Sequence, residues 1–246
     1  MFVINRDSDE VLKEATSLCH DERELDAEVL VKEQLAADPD NLMLMTKLGI
    51  IQARLCNDHE AESTFRAVLV RDPNHEDAVC GLGRLLDQAL RTDEAEQIFR
   101  DFIQRNPVGH CAVEDLCRIL YSEGRSEDAF QIARNQAEEH DHDVRAFDAL
   151  RYLLQIEEDQ IESQLYDDRE NESLFNELLQ NLLDQIDIVI KILNLKELPD
   201  EERCLLEDDR ARVLGEIEQL LASAPNRRIS VSNGIQKRVT IYKNQL

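Results

Sequence analysis

The chain of 246 residues carries 53 acidic against 28 basic side chains, which gives a net charge of −25 and a sequence pI near 4.5. A body with this charge repels nucleic acid and anionic membrane surfaces, so we expect neither to be a direct partner. The six cysteines include no C-x-x-C pair, and the N-terminus lacks the basic start and apolar run of a secretory signal. Both features favour a cytoplasmic location with reduced thiols. The most apolar stretch, residues 182–195, contains two aspartates and a lysine and is not expected to span a membrane.

A period of 34 residues runs through residues 8–170. Successive periods end at a proline, namely Pro39, Pro73 and Pro107. At the equivalent position of the next period the proline is replaced by Asp141. Two further columns keep the interval, namely Ala27, Ala61, Ala95 and Ala129, and Leu48, Leu82, Leu116 and Leu150. Within each period, apolar residues recur at helical spacing on both sides of a short polar break, which predicts two helices joined by a tight turn. We therefore expect stacked helical hairpins, each ended by a proline that cannot continue a helix.

The residues that fill this period resemble the tetratricopeptide repeat. The matching sets are Leu48-Gly49, Ala61, Phe65 and Pro73 in one period, and Leu82-Gly83, Ala95, Phe99 and Pro107 in the next. The resemblance covers about residues 8–160 and weakens after residue 110, where Cys117, Ala133 and Asp141 replace the glycine, phenylalanine and proline. It implies an all-α solenoid of four to five helical hairpins over residues 1–170. The repeat units are expected at 8–41, 42–75, 76–109 and 110–143, with a partial unit at 144–170.

Residues 171–224 predict a further helical hairpin. Its first helix carries apolar residues at alternating spacings of four and three, which is the pattern of a heptad seam: Phe175, Leu179, Leu182, Ile186, Val189 and Leu193. One interpretation is that this hairpin closes the stack of repeats and covers its apolar end. The alternative is homodimerisation through residues 171–224.

The last segment, residues 225–246, is basic and contains no acidic residue. Its residues 228–231 and 237–241 alternate around Ser232-Asn233-Gly234, which favours a β-hairpin with Gly234 in the left-handed position. Two strands alone are marginal, so the tail is expected to dock on the acidic body, to join the sheet of a partner, or to stay disordered.

In tetratricopeptide arrays the first helices of successive units line a concave groove in which peptides bind, so the resemblance implies a protein or peptide partner. The candidate contacts are Lys47, Arg54, Arg84, Arg118 and Tyr152. A basic stripe of this kind favours an acidic or carboxylate-bearing segment, because arginine presents paired donors. The alternative is that Asp77, Asp87 and Asp115 neutralise these arginines across the groove.

No set of residues in the sequence assembles a recognisable catalytic centre. A glycine-rich phosphate loop, a G-x-S-x-G elbow and an H-E-x-x-H pair are all missing, and His140-Asp141-His142-Asp143 is a weak metal signal. We therefore expect no enzyme activity, no cofactor and no metal.

The sequence favours an interaction scaffold, an adaptor or a chaperone-like protein. The alternative function is an acidic binder of basic proteins, resembling a histone chaperone or a decoy, which acts through its negative surface. A third interpretation is adaptation of the source to salt, since 21 arginines stand against 7 lysines.

Overall fold

A computed structural model describes residues 7–195, 198–227 and 229–243. Within these residues the chain forms α-helices joined by short turns and contains no strand. The helices are α1 Ser8–His20, α2 Glu24–Ala37, α3 Leu42–Arg54, α4 Asp58–Arg71, α5 Glu76–Gln88, α6 Thr92–Arg105, α7 His110–Ser122, α8 Ser126–Glu139, α9 Asp148–Asp167, α10 Glu172–Leu193, α11 Asp200–Ser223 and α12 Asn233–Lys243. A short 3-10 turn, Val144–Phe147, precedes α9. None of the helices in the described residues is both long enough and apolar enough to cross a membrane.

The chain divides into two compact units, with the boundary between residues 124 and 125. Unit 1 contains α1–α7 and unit 2 contains α8–α12. The domain boundaries expected from the sequence, near residues 170 and 224, stay predictions.

Unit 1 is built from the predicted hairpins. The pairs α1–α2, α3–α4 and α5–α6 each pack together, and α7 follows α6. Helices α2, α4 and α6 end at Ala37, Arg71 and Arg105, each two residues before a proline of the 34-residue series. Proline disfavours helical geometry in the residue before it, so the sequence fixes where each hairpin stops. The all-α repeat architecture is therefore confirmed.

Small and large residues of the repeat fit together inside the hairpins α3–α4 and α5–α6. A Cβ atom placed on Gly83 would lie 2.2 Å from Cζ of Phe99, and one on Gly49 would lie 2.7 Å from Cε1 of Phe65. Both phenylalanines are fully buried. The glycines thus let the two helices of a hairpin approach closely enough for the ring to fill the interface.

The turn between the two helices of a hairpin contains a further column with the same period. Glu22, Cys56 and Leu90 have φ of 58°, 58° and 60°, and Gly124 has φ of 77°. In the first three turns the next residue donates its N–H to a carbonyl five positions back, as from Arg91 to Leu86 at 2.9 Å. This bond needs a left-handed residue at the turn, yet only Gly124 is of the type that adopts it without strain.

Unit 2 is organised around α10. This helix packs against α9, α11 and α12, and its heptad residues Phe175, Leu179, Leu182, Ile186 and Val189 are buried inside the unit. The predicted pairing of α10 with α11 into a helical hairpin is confirmed. The other helices of unit 2 cover the seam. The capping role and homodimerisation both stay predictions.

The predicted β-hairpin in the basic tail is wrong for the described part of that tail. Residues 233–243 form α12, whose first turn includes Gly234. Ile235, Val239 and Tyr242 follow one another at intervals of four and three, so in a helix they face the same side, and all three are buried in the core around α10. The Ser232 hydroxyl accepts a hydrogen bond from the Ile235 N–H at 3.3 Å at the start of the helix. Packing against the apolar face of α10 therefore stabilises a helix in this segment, although its sequence alternates in the pattern of a strand.

Candidate functional site

The first helices of the hairpins form one row in unit 1, because α1 packs against α3, α3 against α5 and α5 against α7. Side chains 31 residues apart meet across this row. The pairs are Lys47 with Thr16, Arg84 with Asp115, and Arg118 with Asp87. Equivalent positions in successive hairpins are 34 residues apart. A pair that is 31 residues apart is therefore shifted by three residues, so each side chain contacts one about one turn away from its equivalent position on the neighbouring helix. Polar contacts of this kind thus join α1 to α3 and α5 to α7.

A groove of about 370 Å³ opens on this row, and we call it the α3–α5 groove. Its apolar surface comes from Ile50, Phe65, Gly81 and Leu85. Its polar lining comes from Arg54, Asp77, Cys80, Arg84, Gln88 and Cys111. Two of the arginines expected from the sequence, Arg54 and Arg84, therefore lie at the same groove.

Arg84 is anchored by a buried carboxylate. Its Nε lies 2.9 Å and 2.8 Å from the two carboxylate oxygens of Asp115. The Asp115 side chain is 5% exposed, whereas that of Arg84 is 54% exposed. The hydrogen bond to Asp115 raises the pKa of Arg84 further, so the guanidinium stays charged. Nη1 and Nη2 of Arg84 have no hydrogen-bond partner among the described residues, which leaves four N–H donors on two nitrogens for a ligand.

Arg118 lies next along the row and shares the same carboxylate. Its Nη1 donates to Oδ2 of Asp87 at 3.2 Å, and its Nη2 lies 3.5 Å from Oδ1 of Asp115. Asp115 therefore links Arg84 and Arg118. The neutralising contacts expected as the alternative are present at both arginines, but they occupy only part of each guanidinium.

Arg54 and Lys47 face α1 and α2. Arg54 donates to Oε1 of Glu24 from Nε at 3.0 Å and from Nη2 at 2.7 Å, and Nη2 also reaches the Cys19 carbonyl at 2.8 Å. A backbone hydrogen bond at Glu24, together with Arg54, lowers the pKa of the Glu24 carboxyl. Lys47 donates from Nζ to the Thr16 hydroxyl at 2.8 Å. Both cations thus stabilise the packing of the row, and neither offers as many unused donors as Arg84.

Two cysteines of the groove carry neutral thiols. Burial raises the pKa of Cys80, and nearby Asp115 adds to the shift. Burial also raises the pKa of Cys111, where Glu76 is the next cause. Because only the thiolate is a strong nucleophile, these two groups are suited to packing and weak polar contact rather than to covalent catalysis near neutral pH.

Tyr152 belongs to unit 2 and lines a different groove, between α9 and α11. The sequence analysis missed this α9–α11 groove and the buried polar network beneath it. In that network Gln185 donates to Glu158 at 2.7 Å and to Asn181 at 2.9 Å, and Asn181 donates to the Leu154 carbonyl at 3.0 Å. The sequence contains one signal for this network, because two amide side chains, Asn181 and Gln185, lie four residues apart within an apolar helix.

The histidine cluster of the sequence lies in the turn after α8. The ring centroids of His140 and His142 are 6.4 Å apart with their planes at 67°, and Nδ1 of His142 lies 3.9 Å from Asp141. Across residues 7–195, 198–227 and 229–243 no three histidine, cysteine or acidic side chains are arranged to hold a metal ion.

The repeating hairpins, the Gly–Phe contacts and the row of first helices define an all-α fold of the tetratricopeptide-repeat type. Among solved structures, the chain is similar to Pseudomonas aeruginosa PilF, with 14% identity, a TM-score of 0.50 and coverage of 97% of each chain. It is also similar to a tetratricopeptide repeat protein from Parabacteroides merdae, with 15% identity, a TM-score of 0.48 and coverage of 94% of this chain and 97% of that one. A third similar structure is MamA, with 16% identity, a TM-score of 0.46 and coverage of 80% and 96%. No protein-family model and no curated protein matches the sequence. At these identities the likeness concerns the fold.

Proposed function

We propose that the protein is a non-enzymatic interaction scaffold that holds a segment of a partner protein in the α3–α5 groove. The observation that carries the proposal is the guanidinium of Arg84, which is fixed through Nε and presents two amino groups with unused donors beside an apolar pocket. A donor group that is already held in place loses little conformational freedom when it binds, so its hydrogen bonds add to affinity.

The same arrangement defines the chemistry of the partner segment. A carboxylate can accept both Nη donors of Arg84 side by side, which is the geometry that arginine offers best. An apolar side chain next to that carboxylate would contact Ile50 and Leu85. We infer an acidic segment with an adjacent apolar residue, with Arg118 as a second cation further along the row. Lys47 and Arg54 would contribute positive charge from the neighbouring helix.

The test is capture of partners by the immobilised full chain, quantified by mass spectrometry. Arg84→Glu with Arg118→Glu should lower the capture of groove-dependent partners about tenfold or more, because both cations become anions. The matched control is Arg66→Glu with Arg100→Glu on α4 and α6, which changes the net charge equally and replaces arginines paired with acids on their own helices. Circular dichroism of each variant checks that the helices persist. Equal capture by the groove variant, the control and the unaltered chain would refute the groove assignment.

A second candidate function rests on the net charge of −25, which favours binding of basic proteins over the whole surface. Such binding is screened by salt and does not depend on one groove. Capture that disappears in about 0.5 M NaCl and survives the Arg84 and Arg118 substitutions would support it. A cytoplasmic location is part of both proposals.

A further inference from the structure

The α9–α11 groove is the larger of the two grooves described here, with a volume of about 1010 Å³. Its floor is α10, through Gln185 and Val189. One wall is α9 with Arg151 and Tyr152, and the other is α11 with Leu205. Arg151 and Asp209 bridge the two walls at 3.6 Å.

The volume of the groove is comparable to that of a short helical segment. A helix about 10 Å across occupies roughly 80 Å³ per ångström of length, so this volume corresponds to about 13 Å, or two and a half turns. Leu205 is 69% exposed in the wall, next to buried Leu206. The Leu205 side chain is therefore accessible to an apolar side chain of a ligand that enters the groove.

Along the groove, the basic side chains form ion pairs, whereas two acidic side chains do not. Arg145 is paired with Asp143 at 3.0 Å, Arg151 with Asp209, and Arg212 with Asp209 at 2.8 Å. On the α11 wall, Glu202 and Asp208 are exposed and have no ion pair or hydrogen bond among the described residues. They are about 9 Å apart along the helix axis. The groove therefore combines an exposed leucine with two unpaired negative charges, and each of its arginines is paired with an aspartate.

We propose that the α9–α11 groove binds a basic amphipathic helix of a partner protein. The apolar face of that helix packs on Leu205 and the Tyr152 ring, and its lysines or arginines pair with Glu202 and Asp208. The ligand preference is opposite in sign to that of the α3–α5 groove, so one chain carries two grooves for chemically different segments.

A second copy of this chain is disfavoured as the occupant. Two chains with a net charge of −25 each repel one another. The basic amphipathic helix that this sequence supplies, α12, already buries Ile235, Val239 and Tyr242 in the core around α10.

The proposal is tested with a fluorescent helical peptide of about 14 residues, roughly four turns, made of lysine with leucines at i, i+3, i+4 and i+7 spacing. Binding is measured by fluorescence anisotropy on the full chain. Glu202→Gln with Asp208→Asn should weaken binding about tenfold, since two charge contacts are lost. Leu205→Asn should also weaken it about tenfold through loss of apolar contact. With Glu202→Lys and Asp208→Lys, the chain should bind a peptide of the same pattern with glutamate in place of lysine more tightly than it binds the lysine peptide.

The controls separate the groove from the general charge of the protein. Glu201→Gln with Glu207→Gln removes two exposed charges from the same helix outside the groove, and Leu25→Asn removes a leucine that is 67% exposed on α2. Controls that weaken binding as much as the groove variants would overturn the proposal, because the peptide would then follow net charge alone. A dimer in light scattering that Leu205→Asn dissociates would overturn it as well, by placing a second copy in the groove. The substitutions at Arg84 and Arg118 leave this groove intact, so failure of one binding proposal does not imply failure of the other.

Discussion

The turn between paired helices strains the backbone of one residue, at the equivalent position in successive repeats. Glu22, Cys56 and Leu90 adopt left-handed backbone conformations because the turn between paired helices needs one, and a non-glycine residue there costs about 1–2 kcal/mol. The fourth turn avoids this cost with Gly124. The repeat is thus most strained at positions that contribute little to the core, as the exposed side chain of Leu90 shows.

Leu90→Gly should stabilise the protein by about 0.5–1 kcal/mol, the relief of strain less the larger entropy of glycine in the unfolded chain. Leu90 is 90% exposed, so little apolar burial is lost. Thermal and urea denaturation provide the measurement. Val29→Gly is the control, since Val29 is an exposed residue inside α2, where glycine should destabilise by about 0.5 kcal/mol. A loss of stability in Leu90→Gly would contradict the assignment of strain to this turn.

Packing against other helices of the chain stabilises each helix, and α12 shows this most clearly. Beyond its apolar face, Arg238 lies 3.0 Å from Asp184 and 2.6 Å from Asp187 of α10, and the Tyr242 hydroxyl donates to Asp187. Burial together with the hydrogen bond to Asp187 raises the pKa of Tyr242, so the phenol stays protonated as a donor. The basic tail is therefore matched to α10 in both shape and charge.

Val239→Asp should undock α12, because Val239 is 5% exposed and an unpaired carboxylate is costly at that position. We expect at least about 2 kcal/mol of destabilisation and rapid amide hydrogen exchange over residues 229–243. Ile241→Asp is the control on the same helix, since Ile241 is 54% exposed. Unchanged exchange in Val239→Asp would show that the observed packing does not hold the helix. Light scattering of the undocked variant also tests whether the freed seam of α10 then dimerises.

At the scale of the whole molecule, the excess of acidic side chains acts on stability as well as on binding. A net charge of −25 produces self-repulsion that favours the unfolded chain. The Debye length falls from about 20 Å to about 4 Å as salt rises from about 0.02 M to about 0.5 M, so added salt screens this repulsion.

The melting temperature should therefore rise between those two salt concentrations, and by similar amounts in NaCl and KCl, because screening depends on ionic strength. Differential scanning calorimetry measures it. A melting temperature that falls would mean that the screened ion pairs, such as those of Arg84 and Arg238, outweigh the general repulsion.

The sequence by itself determined the repeating architecture. Prolines, glycines and phenylalanines at intervals of 34 residues act locally, by ending helices and by setting how closely two neighbouring helices pack, so their positions could be read without coordinates. The candidate arginines could also be placed on the first helices by this periodicity. Their binding role stays a proposal.

Only the tertiary structure decided how the remaining features are used. Residues 233–243 became a helix because α10 offers an apolar face with two aspartates, a surface assembled from a distant part of the chain. The buried carboxylate of Asp115 fixed one edge of the Arg84 guanidinium and left the other edge open. Glu202 and Asp208 of α11 have no ion pair or hydrogen bond within the described part of the chain. Local patterning specifies where helices begin and end, whereas the environment of a charge depends on which other helices pack beside it.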